Sequence, residues 1–159
     1  MIAIPTTAGT GSEVTIVAVI ADAAAHRKFA VGSTRMVART ALLDAELTFG
    51  LPPFITAYTG MDALTHAIES YTSVAAQRVT DAINLDTISS IFSSLPTAVL
   101  RGDDRKARED ILYASCMASM TCNSNISRTG SCDCVACLRA VQCAARTCVC
   151  GAAACSNGI

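Results

Sequence analysis

Two side chains in this sequence have the type and spacing to hold a metal ion. Asp62 and His66 lie in the run Thr59-Gly60-Met61-Asp62-Ala63-Leu64-Thr65-His66-Ala67-Ile68-Glu69. Four residues apart on a helix, a carboxylate and an imidazole fall on one face, about one turn from each other. Both can then reach a single divalent cation. A catalytic metal usually takes three or four protein ligands plus an open position, so the pair is half of a site. The only other histidine, His26, sits in the polar connection Ala23-Ala24-Ala25-His26-Arg27-Lys28 and reads as solvated. Taken alone, an Asp-x-x-x-His pair is more often an aspartate near a helix start and a surface histidine than a pair of ligands.

The elements that would carry this pair follow from periodicity. Met1 to Thr7 reads as a strand running into a turn at Pro5, and Ala8-Gly9-Thr10-Gly11-Ser12-Glu13 as a glycine-rich loop. Val14 to Ile20 is β-branched and strand-like, Lys28 to Gly32 is its hairpin partner, and Ala41 to Asp44 is a further short strand. Leu51-Pro52-Pro53 marks a boundary, after which helical periodicity takes over. The spacing predicts one helix over roughly Gly60 to Thr72. A second starts near Thr80, with Ile88, Ile91, Phe92 and Leu95 on one face. Asp103-Asp104 opens a third, its acidic residues at the positive N-terminal end and Ile111, Leu112 and Cys116 on the apolar side. That helix fades near Met120.

Composition bounds the reading. The chain has 159 residues, is 52% hydrophobic and carries a net charge of −1, which suits a globular protein and points to neither nucleic acid nor a membrane surface. No apolar run approaches the about 20 residues of a membrane span, and the first residues are too short and uncharged for a secretory signal. A cytoplasmic location is therefore expected. The nine cysteines begin only at Cys116, and eight of them fall between Cys122 and Cys155. Their irregular spacing, including Cys132-Asp133-Cys134 and Cys134-Val135-Ala136-Cys137, fits neither a paired disulfide framework nor a zinc module. From Cys122 to Ile159 there is no Phe, Tyr, Trp, Glu or Lys, and helical periodicity stops.

Four blocks, in this order, resemble the iron-containing alcohol dehydrogenase family: Pro5-Thr6-Thr7-Ala8-Gly9-Thr10-Gly11-Ser12-Glu13-Val14-Thr15, Leu43-Asp44-Ala45-Glu46-Leu47-Thr48, Gly50-Leu51-Pro52-Pro53, and Gly60 to Glu69. The resemblance covers Ile2 to about Ser119. It implies an α/β fold in fragment form: the β-rich end of a dinucleotide-binding domain (residues 1–50), part of an all-helical metal-binding domain (51–120), and an aberrant Cys-rich tail (121–159). It implies that Asp62 and His66 ligate Fe²⁺, or Zn²⁺ as in some relatives. Thr6, Thr7, Ala8, Gly9 and Thr10 would lie along NAD or NADP, and Lys28 matches a position that contacts the nucleotide. Glu69 would serve the helix surface or support the ligands.

The implied reaction is metal-assisted hydride transfer between an alcohol and an aldehyde or ketone, with NAD(P) as the other partner. Family members commonly assemble, so a homo-oligomer is open. The family also supplies two further histidine ligands downstream, whereas this chain has no histidine after His66. With suitable codons, reading Arg139 to Ile159 one base later produces a string similar to the family's next block, a proline and glycine ahead of a Leu-Leu-Pro run. The expectation is a fragment truncated at the front and frame-shifted at the back, inactive by itself. The rival is a non-catalytic fragment or decay product that at most binds metal through Cys132, Cys134 and Cys137. A helper subunit that borrows the missing half from a partner is the third reading.

Overall fold

The computed structural model describes residues 1–129 apart from residue 25. Three long helices carry most of it: α1 (Pro53–Thr72), α2 (Arg78–Leu100) and α3 (Arg105–Thr129). Helix α1 begins at Pro53, well before the expected Gly60. Proline at the first helical position presets φ and lacks the N–H that would go unpaired there, and the Thr56 N–H closes the first turn on Pro52 O at 3.1 Å. Helix α2 starts where the Gln77 N–H donates to Thr80 Oγ1 at 3.0 Å. Asp104 caps α3, its carboxylate accepting from the Ala107 N–H at 3.0 Å, as the Asp103-Asp104 pair predicts.

The helices meet in one apolar core. Ala63 and Leu64 of α1 pack with Ile91, Leu95 and Ala98 of α2 and with Ala107, Ile111 and Leu112 of α3. Each fully buried leucine or isoleucine contributes about 1.5–3 kcal/mol relative to exposure. Gly60 permits the close crossing of α1 over α2, since a Cβ there would stand 2.3 Å from Leu95 Cδ1. A polar node also joins all three helices. The fully buried Asn84 donates to Ser70 Oγ (3.0 Å) and accepts from Thr121 Oγ1 (2.6 Å).

Two expectations for the helices are corrected. Phe92 does not share the buried face of Ile91 and Leu95; it is 66% exposed. The buried stripe of α2 runs through Ile91, Leu95 and Ala98, and Phe92 lies one step of helical rotation outside it. Nor does α3 fade near Met120. It continues to Thr129, because Thr121 and Cys122 are buried and polar partners take over where the apolar periodicity ends.

The first fifty residues hold less strand than expected. β1 (Ile2–Ala3) pairs in parallel with β4 (Thr40–Ala41), and β2 (Val17–Asp22) pairs antiparallel with β3 (Arg27–Gly32). The ladder of β2 starts at Val17 rather than Val14, because the Ile16 N–H and Val14 carbonyl are bonded to the side chain of Asn123. The strand expected over Ala41 to Asp44 ends at Ala41. Asp44 instead caps a short 3-10 helix, Ala45–Thr48, accepting from the Glu46 N–H at 3.0 Å. Among the described residues, no helix is long and apolar enough to cross a membrane.

Candidate metal and cofactor site

Helix α1 presents Asp62 and His66 one turn apart, both half-buried. Burial pushes the Asp62 carboxyl above its usual range, opposed by the neighbouring His66 and reinforced by the negative charge of Glu69. His66 Nδ1 is buried and has no hydrogen-bond partner among the described residues. An orphaned imidazole nitrogen beside a desolvated carboxylate is a pair of donors short of a cation, and such a nitrogen costs stability while it stays unpaired. The donor set therefore suits a divalent metal. It suits only part of one: among the described residues, no three of His, Cys, Asp and Glu come together to enclose an ion.

The glycine-rich loop lies against the same helix. Ala8 and Gly9 are buried, Thr7 is half-buried, and Thr6 and Thr10 are exposed. Ala8 joins the helical core. Gly9 sits on Thr59, where an added Cβ would be 2.7 Å from Thr59 Cβ and 2.8 Å from its carbonyl oxygen. The predicted loop thus touches the helix that bears the predicted ligand pair, at a residue three positions before Asp62. Lys28 lies in β3 with its backbone paired to Ala21. His26 is exposed, in a left-handed conformation with φ of 49° at the hairpin turn.

Sequence reasoning missed the residues that hold the loop down. Glu13 is 4% exposed, and burial raises its carboxyl above the usual value, with its own backbone N–H and the Cys116 thiol holding it partly back. Burial, reinforced by Glu13, pushes the Cys116 thiol up to about 11, so it stays protonated and donates. Ser119 Oγ donates to Thr10 O at 3.1 Å. Asn123 bonds Val14, Thr15 and Ile16. The signal was the spacing of Cys116, Ser119 and Asn123 along one side of a helix, hidden because Asn123 fell inside the stretch read as tail. The cysteines from Cys132 onward and the frame-shifted string lie outside the described residues.

Comparison with known proteins places this geometry. Residues 1–45 match the model of iron-containing alcohol dehydrogenases, and residues 56–131 match that of the Fe-containing alcohol dehydrogenase family, C-terminal. The chain belongs to the iron-containing alcohol dehydrogenase family. It is 51% identical over 124 residues to the "probable alcohol dehydrogenase EutG" of Salmonella typhimurium, a match covering 78% of this chain and 31% of that protein. Among solved structures it resembles sulfoacetaldehyde reductase from Bifidobacterium kashiwanohense in complex with NAD⁺ (TM-score 0.73, 41% identity, 76% of this chain and 32% of that one). It also resembles an alcohol dehydrogenase from Oenococcus oeni (TM-score 0.76, 41% identity, 78% and 32%). The chain thus spans about a third of the length of the relatives it matches.

Proposed function

We propose that this chain carries the cofactor loop and half of the metal site of an iron-type, NAD-dependent alcohol dehydrogenase. The observation that supports the reading most is the contact of Gly9 with Thr59, by which the glycine-rich loop lies beside the helix that bears Asp62 and His66. In this reading residues 1–50 close a dinucleotide-binding domain and residues 51–120 open the helical, metal-binding one. Asp62 and His66 hold the ion together with ligands supplied by the rest of a longer protein. The ion is Fe²⁺ and the nucleotide NAD, with Zn²⁺ and NADP as the respective alternatives.

When bound, the metal supplies a Lewis acid for the substrate oxygen and the nicotinamide accepts or returns the hydride. The chain's own residues bind and orient. Hydroxyls of Thr6, Thr7 and Thr10 and the amides of their turn grip phosphate and ribose oxygens, with Gly9 allowing close approach. Lys28 matches the family position that contacts the nucleotide, where a cation suits a phosphate. Asp62 and His66 would hold the ion on a rigid helix whose place α2 and α3 enforce by packing, and that rigidity would help to orient a small alcohol or aldehyde. A cytoplasmic location and a homo-oligomeric state go with the reading.

The test is alcohol-dependent reduction of NAD⁺ by the longer protein that supplies the remaining ligands, loaded anaerobically with Fe²⁺. Activity that falls at least about a hundredfold in His66→Ala and in Asp62→Ala is the expected result. Activity indifferent to both substitutions overturns it.

A further inference from the structure

Three residues on one side of α3 hold the segment from Thr10 to Ile16. Ser119 Oγ donates to the Thr10 carbonyl at 3.1 Å. Beside it, Gly11 has φ of +54°, and a Cβ there would lie 1.9 Å from Ser119 Oγ and 3.2 Å from Ser115 O. The loop backbone therefore rests directly on α3, in a conformation few residues but glycine adopt. One turn earlier, the Cys116 thiol meets the buried carboxylate of Glu13. One turn later, the Asn123 amide works in both directions. Its Nδ2 donates to Val14 O at 2.7 Å, and its Oδ1 accepts from the Ile16 N–H at 3.3 Å and from Thr15 Oγ1 at 3.4 Å.

One side-chain amide thus satisfies the carbonyl of Val14 and the N–H of Ile16, as the peptide group of a neighbouring strand would. This stops the β2 ladder from extending backward and ends the loop at a fixed place on α3. The other end is fixed on α1 by Gly9 and Thr59. The loop is held between the two helices before any ligand arrives, so its ordering cost falls on folding rather than on binding.

We propose that Asn123 is a positioning residue, assisted by Ser119: it fastens the cofactor loop to α3 and so sets the loop's place relative to Asp62 and His66. The proposal rests on the dehydrogenase reading only for the identity of the ligand. It assigns the loop mechanically to the helical body, although the loop belongs to the first fifty residues of the chain.

The test compares, in the longer protein that supplies the rest of the site, wild type, Asn123→Leu (similar in size, without the amide) and Ser119→Ala. NAD⁺ affinity, kcat at saturating NAD⁺, iron content and amide exchange over residues 10–16 are each measured. In Asn123→Leu the Kd for NAD⁺ rises about tenfold and exchange in the loop accelerates, while iron content holds and kcat changes less than about twofold. Ser119→Ala moves the same two readouts in the same direction by less, and it serves if Asn123→Leu does not fold. Unchanged NAD⁺ affinity together with unchanged exchange in both variants overturns the proposal. So does a parallel loss of iron, NAD⁺ binding and thermal stability, which a general structural role would produce. If wild type does not bind NAD⁺, the dehydrogenase reading fails, and loop exchange alone decides whether Asn123 is the clamp.

Discussion

Gly9 and Thr59 touch backbone to backbone: the missing Cβ of Gly9 would lie 2.9 Å from Thr59 Cα and 2.8 Å from its carbonyl oxygen. The atoms met are mainly those of helix α1 itself, which cannot rotate aside as the end of a flexible side chain could. Gly9→Ala is therefore expected to lower stability by about 1–3 kcal/mol, the usual cost of overpacking. Thermal unfolding measures it. Because the obstruction lies between loop and ligand helix, NAD⁺ affinity should fall as well.

At Gly60 the obstruction is softer. Its added Cβ would meet Leu95 Cδ1 at 2.3 Å, the tip of a side chain. Gly60→Ala should destabilise, offset in part by the about 1 kcal/mol that alanine gains over glycine in a helix interior. Leu95→Ala alone should cost about 2–5 kcal/mol. The double variant should cost less than the two singles added, by at least about 0.5 kcal/mol, because Leu95→Ala removes the obstacle that Gly60→Ala meets and the added methyl fills part of the cavity that Leu95→Ala leaves. Denaturant titration of the four proteins gives the coupling directly.

The node at Asn84 predicts a different kind of loss. Asn84→Leu would remove the donor to Ser70 Oγ and the amide oxygen that shares the Thr121 hydroxyl with the Met117 and Ala118 carbonyls, inside the junction of three helices. Each buried hydrogen bond lost costs about 0.5–1.5 kcal/mol net. A loss of about 1–3 kcal/mol from the two bonds together is expected in urea unfolding, and an unchanged midpoint would show that the node adds nothing.

Glu13 makes stability depend on pH. Its carboxyl titrates above the ordinary value of 4.5 in the folded protein, chiefly through burial, so the folded state binds more protons than the unfolded one across that window. Stability therefore falls as pH rises from 4.5 through the folded value, and the charged form is the destabilised one. Glu13→Gln removes this dependence. The variant and the wild type should unfold at similar temperatures near pH 4, with the variant progressively the more stable toward pH 7. Equal pH profiles would show that Glu13 does not carry the penalty.

Some of this was legible in the residues and some was not. Pro52-Pro53, Asp103-Asp104 and the apolar spacing of Ile111 and Leu112 announce helices because capping and burial act locally. The four family blocks carried the loop and the Asp62–His66 pair together. The rest depends on distant partners. The start of β2 is set by Asn123, more than a hundred residues away, and the continuation of α3 past Met120 by Thr121 and Asn123. Hydrophobic periodicity is blind to a helix held by polar contacts, so that stretch read as tail. Asp44 looked like the end of a strand because its capping role shows only once its side chain is seen to accept from Glu46. Phe92 misled because hydrophobicity alone does not say which side of a helix is covered.

The measurement that bears most directly on the account is metal bound per chain. Wild type, Asp62→Ala, His66→Ala and the combined Cys132→Ser, Cys134→Ser and Cys137→Ser variant would each be titrated anaerobically with Fe²⁺ and with Zn²⁺. The account predicts that binding weakens at least tenfold, about 1.4 kcal/mol, in either α1 variant and persists in the cysteine variant. Binding that ignores Asp62 and His66 but disappears with the three cysteines would contradict it, and would leave a chain that takes up metal only through its thiols.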